Sequence, residues 1–240
     1  MRHKYLEIAS TPSVRAARSQ YGGAAQWSGV GDGFPDETAL NERLGRAERQ
    51  FIAERDGFYL ASVSETGWPY VQFRGGPAGF LKVVDDRTLG YADLRGNRQY
   101  LTVGNVQANE RVSLFLMDYA HRRRLKLFGR MHVVSAQDDP ALAERLAVSG
   151  YPARVERAVL ITVEAFDWNC PQHITPRFTQ AELEEILSPV RHELAALRAD
   201  NERLRNKLRE SDLSQDRLLG DRPSGLTCSQ RSPEGAASVP

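Results

Sequence analysis

A mainly β fold is predicted for this chain: an antiparallel barrel of short strands, with helices against its ends and a longer helix after it. Three features predict it. From Gly57 to Asp93, apolar and polar residues alternate with period two, as strands with one buried face require, and further short strand-like runs follow to Phe166. Turn residues separate these runs at short intervals, which suits antiparallel hairpins and a closed barrel better than a sandwich. After Phe178 the period changes, and leucines recur at spacings of four and three.

The 240 residues, 41% of them hydrophobic, suffice for one main domain with appendages. The expected layout is an N-terminal arm over residues 1–35, the barrel over 36–178, a coiled-coil-like helix over 179–210 and a disordered tail over 211–240. A net charge of +1 offers no general attraction for nucleic acid or an anionic membrane. Two cysteines, Cys170 and Cys228, are too few and too far apart for a disulfide framework or a four-ligand zinc site, which fits a reducing compartment. The opening MRHKYLEIASTPSVRAARSQ has no apolar signal core, and no run approaches the ~20 apolar residues of a membrane span. A cytoplasmic protein without a membrane partner is expected.

The first segment is rich in Gly, Ser and Ala and contains GVGDG, Gly29 to Gly33. No plausible strand precedes it and no βαβ unit surrounds it, so it reads as part of a flexible arm rather than a nucleotide loop, with Trp27 and Phe34 packing on a neighbouring surface. Asp36 or Thr38 caps a helix running to about Arg55, with Leu40, Leu44, Ala47 and Phe51 at turn spacing.

Four strands follow. Phe58 and Leu60 share one face of the first; Tyr59, Ala61 and Val63 share the other, and Thr66-Gly67 makes the turn. On the return strand Trp68, Tyr70, Gln72 and Arg74 lie together, with Val71 and Phe73 opposite. Gly75-Gly76-Pro77 stops that strand, Phe80 to Val84 forms a third, Asp85-Asp86 turns it, and Thr88 to Ala92 runs back.

Asn97 to Ala108 reads as a helix with Arg98 near its start. Arg111 to Asp118 reads as a strand buried on both faces, paired with Arg124 to Ser135, whose Leu125, Leu127 and Met131 oppose Arg124, Lys126, Arg130 and His132. Asp138 to Ser149 reads as a helix and Glu156 to Phe166 as the last strand.

Thr179-Gln180-Ala181-Glu182 is a capping box, with Phe178 and Leu183 as its hydrophobic staple. The helix it opens carries a heptad seam from Leu183 to Leu208, with Asn201 at an a-type position, where a polar side chain pairs with its own copy in a parallel dimer. Ser188-Pro189 predicts a kink or a restart, leaving about three heptads beyond it. A helix packed on its own barrel is the competing reading.

The hairpins, the second of them bearing Lys82, and the run LRGNRQYLTVGN from Leu94 to Asn105 resemble the pyridoxamine 5'-phosphate oxidase-like proteins, the FMN-binding split barrels, over roughly Glu37 to Phe178. The resemblance rests on the order of elements. It implies an antiparallel split β-barrel, FMN as cofactor, and a homodimer with the flavin at the subunit boundary. FMN needs cations for its phosphate, an amide for its pyrimidine edge and an aromatic wall. In the family a Ser-Arg-Lys run grips the phosphate; here it is Asn97-Arg98-Gln99, which keeps the Arg, and Arg98 can pair bidentately with phosphate. Lys82 matches the family's strand lysine beside the phosphate. The arginine five residues earlier is replaced by Pro77, and Arg74 is the candidate substitute.

Gln72 suits the pyrimidine edge, since one amide both donates and accepts. Arg124 stands where the family carries a strand glutamine and would bring positive charge to the ring; a solvated turn is the other reading of the HRRRLK run. Trp168 resembles the family's tryptophan that closes over the flavin from the partner subunit, with Asn169 and Gln172 as polar neighbours. A core Trp covering the barrel mouth is the alternative. Cys170 and His173 are not expected to form a catalytic dyad, and no metal is expected.

No Arg-Leu-His-Asp-Arg type segment follows Trp168, so oxidation of a vitamin B6 phosphate is not expected. The resemblance implies an FMN-dependent oxidoreductase acting on an unidentified small molecule, with NAD(P)H a candidate reductant. The alternative is a flavin-, haem- or deazaflavin-binding protein with a sensing or storage role.

Overall fold

The computed structural model describes residues 3–27, 40–168 and 171–220, with side chains to Ser211 in the last segment. The GVGDG run, Phe34, the caps Asp36 and Thr38, Asn169, Cys170 and the tail after Gly220 lie outside the described residues. Two compact units divide between Arg177 and Phe178.

The first unit is built on strands β1 (Gly57–Val63), β2 (Pro69–Gly75), β3 (Lys82–Val83), β4 (Thr88–Leu94), β5 (Arg111–Asp118), β6 (Arg123–Ser135) and β7 (Val155–Trp168). They form one seven-stranded sheet in the order β2-β1-β5-β6-β7-β4-β3, every neighbouring pair antiparallel. Four strands separate β2 from β4 along the ladder. Yet Arg74 of β2 bonds Asp93 of β4 at 2.8 Å, and the ring of Phe58 on β1 meets Tyr91 of β4 edge-on at 5.5 Å. The sheet therefore curls back on itself and is joined across its split by side chains. This is the antiparallel split β-barrel expected from the sequence.

Period-two burial follows the alternation. Phe58, Leu60 and Ser62 point inward from β1, and Val112, Leu114 and Leu116 from β5; Leu125, Leu127 and Met131 do so from β6. Phe115 and Met117, expected to be buried as well, are only half-covered on the outer face of β5, where the Arg124 guanidinium lies over the Phe115 ring. On β2, Val71 and Phe73 remain 60% and 57% exposed.

Around the barrel lie α1 (Lys4–Ala9), α2 (Pro12–Gln20), α3 (Arg46–Ala53), α4 (Leu101–Ala108) and α5 (Pro140–Leu146). The opening segment, expected as a flexible arm, forms α1 and α2. Tyr5 of α1 stacks on Phe128 at 4.4 Å, and Thr11 caps α2 with Pro12 in its first turn. Trp27 lies under the guanidinium of Arg18 rather than on a separate surface. α3 begins at Arg46, later than expected, because the Gly45 amide is bonded by Glu48, which fixes the helix start there; Leu40 instead bridges to His3. The third strand shrinks to Lys82–Val83, and α5 to Pro140–Leu146 between Asp139, which caps Leu142, and Ala147.

The second unit carries α6 (Gln180–Gly220). Thr179 and Glu182 make the expected reciprocal cap: the Thr179 amide bonds Glu182 at 2.7 Å and the Glu182 amide bonds Thr179 Oγ1 at 3.2 Å. Of the kink or restart expected at Pro189, the restart does not occur: the proline lies inside one continuous helix. Proline removes a single amide donor, and the turns on both sides keep theirs. No helix among the described residues is long and apolar enough to cross a membrane.

Candidate functional site

The polar groups gather where β2, β4, β7 and the loop before α4 meet. A cavity of about 80 Å³ there is lined by Tyr70, Gln72, Arg74, Asp93, Arg157 and the loop from Gly96 to Tyr100. Asp93 sits at its base, 2% exposed. Arg74 Nη1 donates to Asp93 Oδ1 at 2.8 Å, and Arg157, its direct partner across the β4–β7 ladder, donates from Nε to Oδ2 at 2.7 Å. A buried carboxylate is tolerable only when paired in this way. Burial alone would lower the Arg157 pKa; the hydrogen bond and charge of Asp93, with smaller help from Tyr100 and Glu156, outweigh it and raise the guanidinium above its usual value. The ring of Tyr100 lies against Arg157 at 4.8 Å.

Above this base, Thr102 of α4 donates to Gln72 Oε1 at 3.0 Å, which leaves the Gln72 amide protons as its remaining donors. Asn97 Oδ1 accepts from the Gln99 amide at 3.2 Å, tightening the loop. Arg98 and Tyr100 have left-handed backbones, φ 61° and 52°. Arg98 is exposed and has no hydrogen-bond or ion-pair partner among the described residues. The helix expected to open at Asn97 opens at Leu101: the two left-handed residues break the helical path before it, so Arg98 lies on the loop before the helix rather than in its first turn.

Two buried donors are left unsatisfied beside the clamp, Arg74 Nε and the Tyr91 hydroxyl. Burial pushes the Tyr91 phenol far above its ordinary pKa, with Arg74 offsetting only part of the shift. It therefore stays a neutral donor at any physiological pH.

Of the residues singled out from sequence, Gln72, Arg74, Asn97, Arg98 and Gln99 come together. The others do not join them. Lys82 Nζ donates to the carbonyls of Arg145 at 2.7 Å and Ala147 at 2.8 Å, closing the C-terminal end of α5. Arg124 leaves β6 on the outer face of the sheet, its guanidinium 5.8 Å from the Phe115 ring. Trp168 is a lid on its own barrel end: it meets Phe51 of α3 edge-on at 4.8 Å, donates to Glu48 at 2.8 Å and lies beneath Arg123. Gln172 is exposed on the following turn, and Asn169 is outside the described residues. No group of three or more His, Cys, Asp or Glu side chains that could hold a metal occurs among the described residues.

Tyr70, which alternation sets beside Gln72 and Arg74, joins them; Asp93, Arg157, Tyr100 and Thr102 are not singled out by the sequence. One signal was available: an Asp at an inward position of TLGYADL, an otherwise apolar strand, demands a buried cation as partner.

The chain matches a family model described as pyridoxamine 5'-phosphate oxidase over residues 44–169, more than half its length. No curated protein matches it. Similar solved structures include HupZ of Group A Streptococcus, 15% identical with a TM-score of 0.43, covering 56% of this chain and 98% of that one. Another is a protein related to general stress protein 26, of the pyridoxinephosphate oxidase family, from Clostridium acetobutylicum, at 16% and 0.39 over 57% and 94%. A third is an FMN-binding protein from Syntrophomonas wolfei, at 10% and 0.40 over 51% and 83%.

Proposed function

Since this chain belongs to the pyridoxamine 5'-phosphate oxidase family, we propose that it is an FMN-dependent oxidoreductase acting on a small molecule, with the flavin at a homodimer boundary. The observation that carries the proposal is the partnerless Arg98 on a loop beside Gln72, Arg74 and the buried Asp93–Arg157 pair. The donor set suits the cofactor's phosphate end. Arg98 has every guanidinium proton free for a bidentate contact, Asn97 and Gln99 hold its loop, and Arg74 keeps an unsatisfied buried donor. Asp93 neutralises part of the surrounding positive charge and fixes the direction of both arginines, so that their lost rotamer freedom is spent before a ligand arrives.

About 80 Å³ is room for a phosphate, not for a tricyclic ring. A second wall is therefore needed, and in this reading a second subunit supplies it; the exposed strip of Val71 and Phe73, opposite Ala61 and Tyr59 on β1, lies on the other face of β2 from Gln72 and Arg74 and is apolar surface that a subunit covers without lining the cavity. When bound, the flavin supplies the hydride chemistry; the residues named here bind and orient it. NAD(P)H is the candidate electron donor, and the low cysteine usage favours a cytoplasmic setting.

The test is the absorption spectrum of the purified protein, identification of heat-released cofactor by chromatography, and anaerobic titration with NADH and NADPH. FMN released and bleached on titration is the expected result. Release of FAD, haem or a deazaflavin, or of no cofactor, rejects it. FMN that neither nicotinamide nor any small-molecule substrate reduces would favour the sensing or storage role.

A further inference from the structure

Helix α6 has one apolar seam, and its side chains are open: between Leu183 and Leu208 its leucines and Val190 are each 40–63% exposed. Their spacing sets a heptad in which Leu187, Leu194, Asn201 and Leu208 are a positions and the d positions run from Leu183 to Leu204. Pro189 then falls at c, on the side away from the seam, where its missing amide does not interrupt the apolar stripe. A helix with a narrow a/d seam and charge elsewhere buries that seam against a similar helix.

The charges beside the seam identify which helix, and in which direction. Beyond Pro189 the e positions are Arg191, Arg198 and Arg205, and the g positions Glu193 and Asp200 are acidic, with Lys207 the last g; before it Glu184 is at e and Ile186 at g. In two parallel, in-register copies, g of one helix meets e of the next heptad in the other, so that Glu193 faces Arg198 and Asp200 faces Arg205, twice each by symmetry. An antiparallel pair would set e against e and g against g, so that in its middle Arg191 faces Arg198 and Glu193 faces Asp200, like charge against like. Asn201 points the same way, because a lone a-position Asn is satisfied by its own copy at the same level, and a shifted register would bury it against leucine. Within its own helix Asp200 has only the exposed Arg203 at 3.0 Å, a contact of little worth that it can exchange.

We propose that α6 is one half of a parallel, in-register two-stranded coiled coil whose other half is α6 of a second copy of this chain. This pairing does not depend on the flavin reading and stands or falls separately from it.

The test uses the full chain with Cys170 and Cys228 changed to Ser. Leu197→Cys, at a d position, should oxidise to a covalent dimer in most molecules, while Ala195→Cys, on the outer side, should not. A mixture of Val190→Cys and Leu208→Cys chains should give no mixed disulfide, since these positions lie several turns apart in a parallel pair. Failure of Leu197→Cys to exceed the Ala195→Cys control, or ready formation of the Val190–Leu208 mixed disulfide, overturns the proposal. In a Leu197→Cys background, chains carrying Arg198→Glu with Arg205→Glu should cross-link at least fivefold better to chains carrying Glu193→Arg with Asp200→Arg than to themselves. Equal self and mixed products would remove the charge pairing and with it the parallel assignment.

Discussion

Asp93 and Arg157 face each other across the β4–β7 ladder, and both Nε and Nη2 of Arg157 reach Asp93 Oδ2 at 2.7 Å. The other carboxylate oxygen is taken by Arg74 from the far edge of the sheet. One buried carboxylate thus joins the edge strand β2 to β4 across the split and orients the guanidinium groups at the candidate site.

Asp93→Asn should therefore lower both stability and cofactor affinity. It leaves Arg74 without its counter-charge and Arg157 with Glu156 at 3.1 Å in place of the pair; both side chains are only 18% exposed, and breaking a buried pair in this way costs about 3 kcal/mol. Chemical denaturation and cofactor titration of the same preparation measure the two effects. A variant as stable as the parent would show that the bridge is not what closes the barrel.

Arg98 and Lys82 should separate binding from stability. Arg98 makes no hydrogen bond or ion pair among the described residues, so Arg98→Ala should leave the unfolding midpoint unchanged and weaken FMN about ten- to a hundredfold. Lys82→Ala should do the reverse: the α5 carbonyls of Arg145 and Ala147 lose a charged donor, a loss of about 1.5 to 3 kcal/mol, with the dissociation constant unmoved. An affinity loss for Lys82→Ala with unchanged stability would return this lysine to the cofactor.

Local periodicity explains which of these features the sequence made legible. The β1–β2 hairpin, the inward faces of β5 and β6 and the Thr179–Glu182 cap depend on residues a few positions apart, and alternation or spacing exposes them. Asp93 and Arg157 are 64 positions apart, and Lys82 and Ala147 are 65 apart; no spacing rule connects such pairs before the sheet order is known. Helix ends were misplaced for a related reason. The Asn97–Ala108 run has helical composition throughout, and the left-handed turns at Arg98 and Tyr100 that delay α4 to Leu101 are choices of the surrounding fold.

Gly129 and Gly104 should respond oppositely to substitution by alanine. Gly129 lies at the β6–β7 register shift, and a Cβ there would come 2.7 Å from the Ile161 methyl and 2.8 Å from the Thr162 carbonyl oxygen, a backbone atom that cannot move aside. Gly129→Ala should cost about 3 kcal/mol, the upper part of the overpacking range. Gly104, inside α4 with nothing within 4 Å of its would-be Cβ, should become more stable by up to about 1 kcal/mol. Unfolding curves for both, compared at one temperature, test the bulge and the helix together.

Asp118 should give the barrel an acid-labile corner. Its carboxylate is buried; burial raises its pKa, but the His121 amide and ring, both at 3.0 Å, and Arg55 at 3.6 Å outweigh that and hold it below the ordinary value. A depressed folded-state pKa means that on acidification the unfolded chain takes up the proton first. The stabilisation is therefore complete above the unfolded pKa of about 3.9 and is lost as pH falls through the lower, folded one. Asp118→Asn should be less stable than the parent at pH 7, and the gap should close as pH falls below about 4. Denaturant titrations at pH 7, 5 and 3 follow the gap; a difference that stays constant across them would show that the ionised carboxylate is not what the Arg55 and His121 contacts stabilise.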